Sequence, residues 1–483
     1  MSDLLQGLNP QQRLAVGTVE GPVMVLAGPG SGKTRVLTHR VAYLVREVGI
    51  DPFNILAVTF TNKAAREMAE RLEKLIGPRR ERLTAGTFHA ICARILRRQI
   101  HHLGYENSFI IYDSDDQRRV IKQVLNELDL DDKVYKPAAL HGAISRAKNE
   151  MHGPAEFAQR ARSYWEEVAG RVFERYSLKL KECNAVDFDD LLVLTVRLFR
   201  EAPGVLQSYR DRWHFVHVDE FQDTNVVQYE MVKLLAEKHR NVFVVGDVDQ
   251  GMDGWRGADY RNIMRFADDF PQVREVVLEQ NYRSTQTILD AATAVIRRNP
   301  NRKEKQLWTE KEGGPKVLVF EAYDEKEEAD FIVREVRRLT ARGGAALREC
   351  AVMYRTNAQS RAIEDAFVRA NLPYTLVGGT RFYERREIKD LLAYLRLLHN
   401  PFDAVSMERI INVPTRGIGQ KSWNDLAAWA GELGVPVYTA LQLLRGTVET
   451  AGQVDESPFL PEVPVPFAGR QRTALLEFLT LLD

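Results

Sequence analysis

The sequence predicts an α/β protein built around a parallel sheet, and three observations carry that reading. Short apolar runs rich in β-branched residues lie at 23–27, 55–60, 215–219, 242–246 and 276–278. They are too short for independent helices and too apolar for strands with one wet face, the pattern of strands buried on both sides. Helical periodicity fills the intervals between them. A glycine-rich segment joins the first run to the helix that follows it, as in a phosphate-binding strand–loop–helix unit.

The elements follow in order. Val36, Leu37, Val41 and Leu44 recur at helical spacing after the first run. After the second, Ala65, Met68, Leu72 and Leu75 recur every three or four residues, with Asn62 as the expected cap and Gly77 as the stop. From about Asp113 to Asp190 the chain is charged, helical in period and poor in buried-strand runs, so it reads as a helical insertion between strands of the first sheet. A second α/β stretch begins near Arg283, with strands expected at 316–320 and 351–354. After about Thr380 the pattern is helical again. Residues 453–467 carry four prolines and read as a linker or exposed loop, and a last helix is expected over 470–483.

Composition narrows the class. At roughly 150 residues per domain, 483 residues correspond to about three domains. Lys plus Arg and Asp plus Glu both number 67, so a polyanionic partner must meet a local basic surface offset elsewhere. With 45% apolar and 28% charged residues the chain is a globular protein rather than a disordered one. No apolar run approaches the roughly 18 residues of a membrane span, and the first residues do not form a secretion signal. Cys92, Cys183 and Cys350 are far apart and odd in number, which points to a reducing, cytoplasmic setting rather than a disulfide framework or a metal site.

The strongest chemical signal is Ala27-Gly28-Pro29-Gly30-Ser31-Gly32-Lys33-Thr34, followed by Arg35. Glycines let the backbone N–H groups wrap a β-phosphate, and the helix N-terminus adds partial positive charge. Lys33 reaches the β- and γ-phosphates and Thr34 offers a hydroxyl to Mg²⁺. Asp219, closing an apolar run, supplies the second metal ligand, and Glu220 beside it the base that activates water. Gln250, after the run 242–246, is placed to sense the γ-phosphate and the attacking water. The expected cofactors are ATP and Mg²⁺, and the pairing of loop and carboxylates implies hydrolysis.

With these residues in place, the chain resembles the UvrD/PcrA/Rep group of superfamily-1 DNA helicases. Further segments carry the resemblance: Leu8-Asn9-Pro10-Gln11-Gln12, Thr59-Phe60-Thr61-Asn62-Lys63, Gly86-Thr87-Phe88-His89, Gln280-Asn281-Tyr282-Arg283-Ser284, Tyr354-Arg355-Thr356-Asn357, and Phe382 to Asp390. The resemblance implies two RecA-like P-loop motor domains with helical insertions. The first motor would occupy 1–112 and 191–282, the first insertion 113–190, an incomplete second motor 283–380, and the start of a second insertion 381–483. It implies that Gln12 reads adenine, Tyr282 stacks on it and Arg283 reaches the γ-phosphate. It places single-stranded DNA on Phe60, Thr61, Asn62, Lys63, Thr87, His89, Phe188, Trp255, Arg256, Arg355 and Asn357. Phe60, Phe188 and Trp255 are the stacking candidates, a plain core aromatic being the alternative for each. Thr415, Gly417 and Gly419 form a Gly-x-Gly turn that either cradles a duplex phosphate or simply joins two helices.

Two departures stand out. Asp253 occupies the place of a base-contacting tyrosine in the family, between Gly251 and Gly254. Nothing after Thr380 resembles the family's return to its second motor domain, so a C-terminally shortened chain is expected. The function implied is an ATP-dependent 3′–5′ helicase or translocase acting on single strands and single-strand/duplex junctions. The alternative is a chain that binds ATP and DNA with little turnover. Repair or replication proteins are the implied partners, and no membrane is expected.

Overall fold

A computed structural model describes residues 3–251, 261–299, 305–311, 313–341, 343–377, 386–449 and 464–482. It separates into two units, Met1–Gly314 with Ala393–Asp483, and Pro315–Leu392.

In the first unit the strands are β1 (Val23–Ala27), β2 (Ile55–Thr59), β3 (Thr84–Thr87), β4 (Ile110–Ile111), β5 (Ala185–Val186), β6 (Phe215–Val218), β7 (Val242–Gly246) and β8 (Arg274–Leu278). Six of them form one sheet in the order β3-β2-β6-β7-β1-β8. Every neighbouring pair is parallel, with Val23 opposite Phe243 and Ile55 opposite Phe215. Alternate residues feed two separate cores. Met24, Leu26, Leu56, Val58, Val216 and Val244 face one; Val23, Val25, Ile55, Ala57, Phe215 and Val245 face the other. That two-sided burial is why the runs are apolar throughout. Helices Lys33–Tyr43 and Asn62–Ile76 cover the second face, and Phe88–Gln99, Phe188–Glu201 and Val226–Ala236 the first.

Two local expectations change. β3 was not foreseen as a strand: Thr84-Ala85-Gly86-Thr87 is small, half-buried and at the sheet edge, so it carries no apolar run. The helix at 62 is capped by Thr61, whose side chain accepts from the Ala64 N–H at 3.1 Å, while Asn62 is already its first residue. Gly77, at φ 60°, ends it as expected.

The insertion consists of helices Ser114–Glu127, Pro137–Asn149, Pro154–Gln159 and Tyr164–Glu182 around Val120, Leu140, Val172 and Phe173. A two-residue parallel ladder, Ile110 with Ala185 and Ile111 with Val186, closes its neck. The C-terminal helices dock beside that neck. The Tyr112 hydroxyl donates to Asp403 at 2.5 Å, Arg396 to Asp116 at 2.8 Å, and Asn400 Nδ2 to the Cys183 carbonyl at 3.1 Å. Helices Gln420–Leu433, Val437–Glu449 and Gly469–Leu482 pack around Trp423, Trp429, Leu441 and Phe478. Of the proline-rich stretch, 453–463 lies outside the described residues; Phe467, at its end, is buried with its ring edge-on to Trp429.

The second unit packs helix Glu325–Ala341 against Ser360–Arg369 through Val333, Val336, Ala366 and Phe367. The strands expected at 316–320 and 351–354 are not formed: both stretches carry no ladder among the described residues. Phe320 stacks on Phe331 and Val352 packs against the helix pair, but Val319 is 87% exposed and Met353 94%, and neither stretch has among the described residues the hydrogen-bonded lateral partner that makes an apolar run a strand. No described helix is long and apolar enough to cross a membrane. All three cysteines are free thiols.

Candidate active site

β1 delivers the chain to the phosphate loop at the carboxyl edge of the sheet, where open parallel sheets hold their ligands. Gly30 at φ 66° and Gly32 at φ 88° occupy the left-handed region that glycine enters without strain. Three successive loop carbonyls are tied down. The Pro29 oxygen accepts from Asn281 Nδ2 at 2.5 Å, that of Gly30 from the Tyr282 N–H at 2.9 Å, and that of Ser31 from Gln12 Nε2 at 2.9 Å. Ser31 Oγ donates to the Gly28 carbonyl at 2.7 Å. The loop is thereby held in shape by the protein itself. Ala27 is buried beneath it, and Arg35 is exposed on the first turn of the helix.

Lys33 Nζ donates to Gln250 Oε1 at 3.3 Å and lies 3.7 Å from Glu220 Oε2. The Thr34 hydroxyl donates to Asp219 Oδ2 at 2.9 Å. Burial pushes the Asp219 carboxyl up to about 6, and the neighbouring Glu220 charge adds to the shift. A hydroxyl and a carboxylate facing one another are hard oxygen donors that fit Mg²⁺, which takes one or two protein ligands and completes its shell with phosphate and water. Among the described residues no cluster of three His, Cys, Asp or Glu side chains could hold a metal. Glu220 stands at φ 49°, a conformation rare outside glycine. Gln222 fixes its carboxylate, donating from Nε2 to Glu220 Oε2 at 2.9 Å while its Oε1 accepts the Asp247 N–H at 2.9 Å.

On the other side of the loop, Gln12 is buried and its amide is engaged at both ends. Oε1 accepts the Asn9 N–H at 3.1 Å while Nε2 holds Ser31. One amide hydrogen and one lone pair remain for a base edge. The Tyr282 ring is half-exposed, and its hydroxyl donates to Gln280 at 2.8 Å and accepts from Asn9 at 3.0 Å. Arg283 is exposed beside Gly30, where a Cβ built on that glycine would come within 2.8 Å of the arginine Cβ.

Residues 8–271 match the model of the UvrD/REP helicase N-terminal domain, and 276–442 that of the UvrD-like helicase C-terminal domain. The chain belongs to the UvrD/REP helicase family. It is 48% identical over 441 residues to the ATP-dependent DNA helicase PcrA of Staphylococcus aureus (strain Mu50 / ATCC 700699), covering 91% of this chain and 60% of that protein. PcrA of Staphylococcus epidermidis (strain ATCC 12228 / FDA PCI 1200) is 47% identical over the same coverage. The chain thus spans about 60% of the length of these relatives. The match of 276–442 places the family's C-terminal domain in the chain, so the expected C-terminal shortening draws no support from it.

The nucleic-acid contacts that the UvrD/REP resemblance implies fall into separate groups. Phe60 is half-buried and Thr61, Asn62 and Lys63 are exposed at the carboxyl end of β2. Thr87 is buried at the end of β3, its hydroxyl accepting the Ala90 N–H at 3.3 Å as a helix cap. His89 and Phe188 meet edge to face at 6.3 Å, with Phe188 49% exposed and burial holding the His89 pKa down. Arg355 and Asn357 are exposed in the other unit. Thr415, Gly417 and Gly419 lie on an exposed turn that opens helix Gln420–Leu433; Arg416 ties that turn to the Ile410 carbonyl at 2.9 Å. Trp255, Arg256 and Asp253 lie outside the described residues, as do 382–385.

Sequence reasoning missed Asn281, Gln222, Asp247, Lys305 and Leu307 as residues that pack against the candidate site. Asn281 stood inside a segment already singled out, and Gln222 and Asp247 follow the apolar runs 215–219 and 242–246 within three residues; their signal was a polar residue close after an apolar strand end. Lys305 and Leu307 carried no such signal: they reach the site only because the chain returns to it after helix Gln286–Ile296.

Proposed function

We propose that this chain is the ATP-hydrolysing motor of a DNA helicase that moves 3′ to 5′ on single strands. The observation that carries the proposal is the convergence of Lys33, Glu220 and Gln250 beside the Thr34–Asp219 pair, at the mouth of a loop held by Asn281 and Gln12. Lys33 neutralises charge between the β- and γ-phosphates, and the residues from Ala27 to Arg35 bind the phosphate chain. Glu220, oriented by Gln222, takes a proton from the attacking water, and Gln250 positions that water. Tyr282 and Gln12 wall the base, while Arg283 reaches toward the γ-phosphate. Thr34 and Asp219 would hold Mg²⁺, which neutralises phosphate oxygens when bound.

The reading divides the chain into a first motor (1–112 and 191–282), a helical insertion (113–190), the first part of a second motor (283–380) and a second helical region (381–483). Phe60 and Phe188 stack bases; Thr61, Asn62, Lys63, Thr87, His89, Arg355 and Asn357 contact the strand. Thr415, Gly417 and Gly419 meet duplex phosphate at a junction. The 3′–5′ direction rests on the family resemblance, as does a role among repair or replication proteins in the cytoplasm.

The test is ATP hydrolysis by this chain with and without single-stranded DNA. Turnover that rises with DNA and vanishes on removing Mg²⁺ is the expected result. Tight binding of both ligands with no turnover would replace the motor with a nucleotide-dependent DNA-binding protein.

A further inference from the structure

Late in the first unit, the chain folds back on the phosphate loop. After helix Gln286–Ile296, the segment 305–311 runs beside 279–281. The Asn281 N–H donates to the Trp308 carbonyl at 2.8 Å, the Trp308 N–H to the Glu279 carbonyl at 3.2 Å, and the Gln306 N–H to Glu279 Oε1 at 2.8 Å. This pairing presses Leu307 against the first loop glycine: a Cβ built on Gly28 would stand 2.2 Å from Leu307 Cδ2. It also drives Lys305 inward. The Lys305 side chain is 2% exposed, its ammonium pairs with Asp247 Oδ1, and it lies 3.5 Å from Asp249 Oδ2. Asp247 is itself fully buried.

A buried lysine between two aspartates asks what it holds. Asp247 Oδ2 accepts from Gln250 Nε2 at 2.9 Å, and Gln250 Oε1 accepts from Lys33 Nζ at 3.3 Å. The amide of Gln250 is therefore oriented from both ends, nitrogen toward Asp247 and oxygen toward the loop lysine. Asp247 Oδ1 also accepts the Asp249 N–H at 3.1 Å, which fixes the turn that carries Gln250. The polar chain is continuous: Lys33, Gln250, Asp247, Lys305.

We propose that Lys305 is a positioning residue for hydrolysis. It compensates the buried Asp247 carboxylate so that Asp247 can hold Gln250 in the orientation that hydrolysis uses. Without the ammonium, an uncompensated buried charge draws in water or a competing donor, and the Gln250 amide loses its fixed partner. Because Lys305 arrives on the segment that follows Arg283 and its helix, the same contact ties the orientation of Gln250 to the seating of 305–311 on the loop. The inference rests on the ATPase reading above and adds a residue that touches none of the reacting atoms.

The experiment is steady-state ATPase at saturating DNA for the parent chain, Lys305→Met, Lys305→Arg, and Lys305→Met combined with Asp247→Asn, each checked by thermal melting and by nucleotide affinity. Lys305→Met should lower kcat about 10–100-fold, with KM for ATP changing less than about threefold, the pattern of a lost supporting contact rather than lost substrate binding. Lys305→Arg should recover most of the rate. The double variant, which removes both charges and keeps an acceptor for Gln250, should exceed Lys305→Met alone. A folded Lys305→Met with parental kcat overturns the proposal, as does a double variant no faster than the single one. A melting temperature that falls in Lys305→Met with kcat unchanged assigns the pair to stability alone. A parent chain that never hydrolyses ATP is a different failure: it removes the ATPase reading and the role of Lys305 with it.

Discussion

Glu220 is held by Gln222 and Lys33 by Gln250, and single substitutions separate the duties proposed for the two residues. Lys33→Ala should reduce ATP turnover roughly 10²–10³-fold or more, because the ammonium opposes charge that builds on the phosphates; parental turnover would remove the loop from the mechanism. Glu220→Gln should stop turnover while nucleotide affinity stays near parental, since the amide keeps the shape and loses the base. A collapse of affinity in titration calorimetry would make Glu220 a ligand instead. A third prediction concerns Lys148, buried between Asp187 at 2.6 Å and Asp190 at 2.7 Å, where Phe188 begins its helix. One ammonium serves two carboxylates. Burial, with the Asp187 charge next, lifts Asp190 to about 7, well above the roughly 3.9 of an unfolded aspartate. The folded state thus binds the proton more tightly, so this group's contribution to stability falls as pH rises from about 4 toward 7. Asp190→Asn should flatten that part of the stability–pH curve, read by urea melts across the range; an unchanged slope would clear Asp190 of the effect. Residues whose type announces chemistry, such as Lys33, Asp219 and Glu220, were legible in the sequence. Asn281 and Lys305 were not, because their contacts depend on which distant groups the fold brings to them, the Pro29 carbonyl and the Asp247 carboxylate.

Whole elements were legible where burial is two-sided. β1, β2, β6, β7 and β8 announced themselves as apolar runs because both faces of each meet a core. β3 stayed hidden because an edge strand of small residues satisfies its backbone without an apolar face. The opposite error fell on 316–320, where a strand-like run remains largely exposed and unpaired; local propensity cannot report the absence of a neighbour. Caps obey the same logic. Thr61→Ala removes the side chain that accepts the Ala64 N–H and should cost about 0.5–2 kcal/mol of stability by urea unfolding. Thr61 is also a proposed DNA contact, so Thr61→Ser, which keeps the cap, should restore stability. If Thr61→Ala unfolds like the parent, water replaces the cap at that exposed end.

At the scale of the molecule, equal numbers of acidic and basic residues leave the proposed DNA binding to local surfaces such as Lys63 and the half-exposed ring of Phe188. Single-stranded DNA should bind with little sequence preference and weaken steeply with salt, each phosphate contact adding about 0.7 to the log–log slope. Fluorescence anisotropy over a salt series checks this, and a flat slope would leave stacking as the main source of affinity. The order of strands carries a last consequence, for synthesis. β1 lies between β7 and β8, so the strand that launches the phosphate loop has no hydrogen-bonded neighbour until residues 242–246 have been made, and its second waits for 274–278. β2 finds β3 early but waits for β6, beyond the whole insertion. On the ribosome the nascent chain therefore carries a finished loop sequence and no place to bind a phosphate. The contacts that hold the loop are completed only when Asn281 closes over Pro29 and residues 305–311 pair with 279–281, so the nucleotide proposed for this loop can stabilise the fold only after residue 311 has been made.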